Sequence, residues 1–214
     1  MGLLKTLFGV GKEKKNTRIL ASPKDLGVGD IIKFSFLPQA DLSGKEFEVT
    51  QLNSYVYDGA SYPELILKDR SNNIVFLTVE DEDGEEYLAV SKKVSRGQFS
   101  KVIVQDEFDT VLKKGAGRTV TIVQPKLAGL ESWLADSYTA TSHNVQGAYV
   151  KGDARTLASG EFAGKEGFTS CTLLDGSEEY ALEIEVYSTN EIELSVTVYH
   201  DFAAIDEMWP STIE

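Results

Sequence analysis

The stretch IELSVTVY, residues 192–199, decides the fold of this chain. Apolar residues occupy every second position from Ile192 to Val198, and polar residues occupy the positions between them. Side chains of a β-strand point alternately to its two faces, so this pattern places all the apolar residues on one face. The stretch therefore predicts a half-buried strand whose apolar face lies on a core.

Similar strands precede this one and are separated by turn residues. YALEIEVY at 180–187 and IVFLTV at 74–79 are rich in β-branched and aromatic residues. Asp58-Gly59 and Asp83-Gly84 are strong signals for hairpin turns. Short strands separated by turns every ~8–12 residues predict a meander or a barrel-like sheet.

Helical patterns are few and short. Residues 105–114 begin with acidic and end with basic residues, which suits a helix dipole. Leucines at helical spacing predict a second helix over 127–136, and a closing helical turn is expected over 202–209. The sequence thus predicts an α+β fold that is mainly antiparallel β, with a few short helices.

The two halves of the chain resemble each other. Residues 65–90 and 173–196 both run from a strand through an Asp-led turn into a strand that ends in an apolar-Glu pair. The pattern predicts two similar β-rich halves, over 24–114 and 118–214, behind an N-terminal segment over 1–18. An internal duplication and a chance likeness of amphipathic hairpins both explain it.

Composition excludes several classes of protein. The 214 residues are 42% hydrophobic and carry a net charge of −13. That acidity opposes binding to the phosphate backbone, so no nucleic-acid partner is expected. No run approaches the ~20 apolar residues of a membrane span, and the N-terminus lacks the layout of a secretory signal. A lone cysteine forms no internal disulfide, so we expect a cytoplasmic protein.

The N-terminal segment 1–18 differs in charge from the rest of the chain. It carries a net charge of +4, which leaves −17 on residues 19–214. Residues 3–10 predict a short amphipathic helix, which a basic tail follows, and such a pair can bind an anionic lipid surface. The alternatives are docking on a core or a partner, and disorder. The candidate contacts are apolar Leu3, Leu4, Leu7 and Phe8 with basic Lys5, Lys12, Lys14, Lys15 and Arg18.

Residue types that carry enzyme chemistry are sparse. His143 and His200 show no metal-ligand spacing. Cys171 lies in a strand-like segment and is expected to be a buried structural thiol rather than a nucleophile. The acidic run 80–86 lacks the spacing of a Ca²⁺-binding loop and predicts a solvated hairpin tip instead. The sequence predicts no catalytic residue, no metal and no cofactor.

Four fragments carry a family resemblance. They resemble an uncharacterised bacterial domain family, and they read MGLLKTLFG, LGVGDIIKF, FEVTQLNSYVYDGASYPELILKD and FLTVEDEDGEEYLAV. Some of its members are encoded beside phage-shock-protein-A-like genes in membrane-stress clusters. The resemblance covers roughly residues 24–95 and, more faintly, 145–209. It implies a role near the cell envelope and carries over no catalytic residue.

Two classes of function follow. The first is a non-enzymatic interaction protein, peripheral to the bacterial inner membrane or part of a membrane-stress assembly, whose partner is a protein, an anionic membrane surface or another copy of the chain. The alternative is a small-molecule or metal binder, or a hydrolase, that uses a cleft between the two halves. Its candidate lining is Tyr138, His143, Tyr149 and Asp153.

Overall fold

Long strands dominate the fold. The computed structural model describes residues 18–82, 84–156 and 165–211. The strands are β1 (Ile31–Phe34), β2 (Glu46–Tyr57), β3 (Ala60–Asp69), β4 (Ile74–Glu82), β5 (Glu85–Lys93), β6 (Thr119–Thr121), β7 (Ser137–Ala140), β8 (Val145–Lys151), β9 (Glu166–Leu174), β10 (Tyr180–Tyr187), β11 (Ile192–His200) and β12 (Ile205–Trp209). Asp58 and Gly59, with φ of 47° and 84°, form the predicted turn between β2 and β3.

Eight of these strands close into an antiparallel barrel. Around the ring, β2, β3, β4, β5, β11, β10 and β9 pair in turn. β8 completes the ring because it pairs with β9 on one side and with β2 on the other. The range 24–114 supplies β2 to β5 and the range 118–214 supplies β8 to β11. One sheet thus contains both halves, and the proposed domain boundaries stay a prediction.

The α+β class is wrong, because the described chain is mainly β. Its α-helices are α1 (Phe99–Val102) and α2 (Gln105–Lys114), and α2 has the predicted bounds. Residues 127–136 form turns instead of a helix, since Gly129 has a φ of 82°, far from helical values. The closing helical turn predicted over 202–209 is limited to a 3₁₀ turn at Phe202–Ala204, which leads into β12, and β12 pairs with β1.

The outward-pointing apolar side chains of the barrel form the main core. Leu67, Leu77 and Leu182 are fully buried and belong to one cluster with Phe108 of α2 and Trp133 of the turns. β1 and β12 extend the sheet beside β2, and β6 and β7 extend it beside β9. The leucines that suggested a helix over 127–136 are buried in this cluster without helical backbone. Their spacing reflects packing on the barrel wall.

The other face of the strands is also removed from solvent. Leu194 and Val196 of β11 lie in the core as predicted, yet Thr197 on the opposite face has no exposed surface. Opposite faces of a barrel wall point outward and inward. The polar residues that alternate with the apolar ones along β11 therefore point into the barrel.

Candidate functional site

Polar and aromatic side chains line the inside of the barrel. Tyr55 and Tyr57 flank the outward-pointing Val56 on β2, and Glu183 and Glu185 occupy the same alternate positions on β10. Side chains from seven of the eight barrel strands surround a cavity of about 340 Å³. The lining residues are Tyr55, Tyr57, Tyr62, Thr78, Glu80, Asp81, Val145, Ser170, Thr172, Glu183, Glu185 and Tyr199.

Two buried glutamates in the barrel are each held by a tyrosine. Glu64 is 4% exposed and accepts a hydrogen bond of 3.0 Å from the Tyr149 hydroxyl. Glu185 is 9% exposed and accepts one of 2.6 Å from Tyr187. Burial raises the pKa of Glu64 to about 7, although Lys93 and Tyr149 act against the shift. Burial also raises the pKa of Glu185.

Glu183 lines the same cavity and lies two residues before Glu185 on β10. Burial raises its pKa to about 8, and repulsion from Glu80 and Glu185 adds to the effect. A hydrogen bond with Thr197 favours its ionised form but does not offset the burial. Near neutral pH, part of this carboxyl population therefore carries protons. The cavity is acidic and its charge is not neutralised by its own lining.

The tyrosines of the interior stay protonated. Burial raises the pKa of Tyr55, Tyr57 and Tyr149 well above the ordinary value, and nearby glutamates raise it further. Neutral phenols offer hydrogen-bond donors and aromatic faces. These tyrosines can therefore donate hydrogen bonds and present ring faces, but they are poorly suited to accept a proton.

An aromatic cluster crosses β8 at Gly147. The rings of Tyr57 on β2 and Phe168 on β9 meet edge to face with centroids 5.6 Å apart. A Cβ at Gly147 would lie 2.5 Å from Phe168 Cζ and 2.7 Å from Tyr57 Cε1. Tyr55 also contacts Phe168, at 5.7 Å. Only glycine at this position allows the two rings to close over the strand between them.

The four residues proposed for a ligand cleft lie in different places. Tyr149 points into the barrel beside Glu64, whereas the Tyr138 hydroxyl accepts a hydrogen bond from the Ala135 amide in the outer core. His143 Nε2 is 2.8 Å from the carbonyl oxygen of Leu112 at the end of α2. Asp153 pairs with its neighbour Arg155. The structure does not bring these four side chains into one site.

The proposed membrane or partner contacts lie almost entirely outside the described residues. Eight of the nine residues precede residue 18, where the description begins: Leu3, Leu4, Lys5, Leu7, Phe8, Lys12, Lys14 and Lys15. Arg18 is described and forms an ion pair with Asp30, which is fully buried. Asp30 also accepts hydrogen bonds from the Gly27 and Ser211 amides, at 2.7 and 2.8 Å. Asp30 thus ties the start of the described chain to its end.

Other candidate chemistry is weak in the part of the chain that the structure describes. Cys171 is buried on the outward face, its Sγ is 3.0 Å from the Ser142 carbonyl oxygen, and burial raises its pKa to about 11. This agrees with the predicted structural thiol. No cluster of His, Cys, Asp and Glu suited to a metal ion occurs among the described residues. No helix among them is long and apolar enough to cross a membrane.

Reasoning from the sequence missed the main residues of the barrel interior, which are Glu64, Glu183, Glu185, Tyr55 and Tyr57. The available signal was a polar strand face that combines carboxyls with tyrosines. Comparison of the chain with protein families, curated proteins and solved structures found no match. What can be said of the site therefore comes from its own geometry, which defines an acidic, tyrosine-lined cavity inside a β-barrel.

Proposed function

We propose that this protein binds a small molecule inside its barrel. The observation that carries the proposal is the cavity of about 340 Å³. Protein interiors are normally packed to crystal density, and ligand pockets typically measure ~300–1,000 Å³. A cavity of this size, with polar groups converging on it from seven strands, is typical of barrels that hold one small ligand.

Binding suits the lining better than catalysis does. Among the described residues, neither histidine nor cysteine lines the cavity. Ser170 lines it, but its hydroxyl is 3.5 Å from the Val145 carbonyl oxygen, and the Glu185 carboxyl opposite it on β10 accepts a hydrogen bond from Tyr187 instead. A serine nucleophile needs a general base within hydrogen-bond reach. We therefore favour a binding protein over the hydrolase alternative.

A cavity-filling variant tests the proposal. Thr78 lines the cavity from β4, so Thr78→Phe should occupy part of its volume. Thr121→Phe on the exposed face of β6 is the matched control. The probes are benzyl alcohol, benzyltrimethylammonium and benzoate, which share a ring and differ in charge. At least one should raise the melting temperature of the wild type and of Thr121→Phe, but not of Thr78→Phe. No shift with any probe would overturn the proposal.

The basic segment 1–18 supports a second proposal, association with an anionic membrane or an acidic partner in a bacterial membrane-stress assembly. Its net charge of +4 beside an acidic body is the supporting observation. Co-sedimentation with anionic liposomes at two salt concentrations should retain the full chain and lose residues 18–214, a truncation that keeps the ion pair of Arg18 with Asp30. Equal behaviour of both chains would return the segment to a core or protein interface.

A further inference from the structure

We infer that the cavity selects an organic cation, an ammonium or quaternary ammonium group carried on a small apolar body. The inference deepens the proposed binding function and rests on it. Three features of the cavity carry it: the charge of the lining, the aromatic walls and the lack of a metal-binding cluster among the described carboxyls.

The lining charge is entirely negative. Glu80 and Asp81 lie on β4, and Glu183 and Glu185 lie on β10. Among the described lining residues none is Lys, Arg or His. The cation that acts on the buried glutamates from nearby is Lys93, and it is already paired with Glu193 and lies 5.0 Å from the Phe76 ring centroid. Buried carboxylates are costly unless a positive charge accompanies them, so a bound cation would stabilise this interior.

Aromatic faces supply the second feature. Tyr55, Tyr57 and Tyr62 form a continuous wall, with ring centroids 6.3 Å apart for the first pair and 6.0 Å for the second. Tyr199 lines the cavity from β11 and packs edge to face on Tyr87. Aromatic rings attract cations through their negative faces, and the effect grows when water is excluded. Tyrosine walls with carboxyls between them fit an ammonium head with attached alkyl or aryl groups.

The arrangement of the described carboxyls argues against a metal ion. Calcium takes 6–8 oxygen ligands at ~2.3–2.6 Å, which requires several carboxyls to converge on one point. The described residues contain no such cluster, although four carboxyls line this one cavity. A charge spread over a larger organic cation matches this distribution better than a point charge does. An anion is disfavoured by every carboxyl in the lining.

The three probes named above test the charge preference directly. Calorimetric titration of the full chain should show benzyltrimethylammonium binding at least roughly tenfold more tightly than benzyl alcohol, with benzoate weakest. At pH 8.5, Glu183→Gln should lower the affinity for the cation about tenfold and leave that for benzyl alcohol unchanged. Glu207→Gln, on the exposed part of β12, is the matched control and should change neither.

The outcomes separate this inference from the proposed function. Equal binding of the alcohol and the cation, or a preference for benzoate, would overturn the cation preference and leave a binding barrel. Full cation affinity in Glu183→Gln would overturn the role assigned to the lining carboxyl. Failure of all three probes to bind would overturn the binding function, and the cation preference with it.

Discussion

Replacing Glu64 with glutamine should make the protein less sensitive to alkaline pH. Glu64 is 4% exposed and accepts a hydrogen bond from Tyr149. Glutamine has nearly the same shape, and its amide oxygen can accept the same hydrogen bond. The substitution therefore removes an ionisable group from the barrel interior while keeping the packing.

The size of the effect follows from the pKa of Glu64. Burial raises it from 4.5 to about 7, so the folded protein binds more protons than the unfolded chain between these values. Stability contributed by this site is therefore lost as pH rises. A difference of about 2.5 pKa units corresponds to about 3 kcal/mol at pH 8, and to less than about 1 kcal/mol at pH 5.

Urea unfolding at a series of pH values measures this difference. Glu64→Gln should gain about 2 to 3 kcal/mol on the wild type between pH 5 and pH 8, by the same linkage. Glu207→Gln, an exposed glutamate on β12, controls for the general loss of one negative charge. If the gap between Glu64→Gln and wild type stays constant over this range, the burial argument is refuted.

Three further predictions follow from the same structure. Gly147→Ala should destabilise the fold by about 1–3 kcal/mol in urea, since its Cβ would overlap the Phe168 ring; Gly167→Ala, which has open space around it, should cost less. Cys171 should react with an aromatic disulfide reagent at least roughly a hundredfold more slowly in the folded protein than in urea, because burial raises its pKa to about 11; equal rates would place the thiol at the surface. Affinity for benzyltrimethylammonium should rise from about pH 6.5 to 8.5 as Glu183, with its pKa of about 8, ionises; a flat titration profile would exclude this carboxyl from the site.

Local signals in the sequence predicted the strands better than the site. Asp58-Gly59 fixed a hairpin because few residue pairs accept two consecutive left-handed conformations. Helix α2 was predicted with its bounds, since its charges complement the dipole. The prediction of a helix over 127–136 was wrong. Turns in this segment bury its leucines at the same spacing that a helix would produce. Secondary-structure propensity and hydrophobic periodicity depend only on residues that are close in sequence. Over 127–136, packing against residues distant in sequence determined the backbone conformation.

The cavity depends on a contact that no local pattern reports. Alternation on β10 separates Glu183 and Glu185 from Ile184, but it does not say whether the polar face meets water or a lumen. That choice is made when β8 joins β9 to β2 and closes the ring. Tyrosines and carboxyls together on the inner face, as on β2 and β10, were the only hint.

The two halves of the chain contribute matching features to the barrel and its cavity. Asp69 and Asp175, which the repeat aligns, occupy matching turns: each carboxylate accepts backbone amides from the turn that follows its strand. Glu80 and Glu185, also aligned by the repeat, both line the cavity. The two four-stranded units meet through equivalent edges, β5 against β11 and β2 against β8, in antiparallel pairs. This is the arrangement that two copies related by a two-fold axis would adopt. Duplication stays a prediction, yet it would explain why acidic residues face one another across the barrel: a carboxyl on the inner face of an ancestral unit would appear twice in the closed ring.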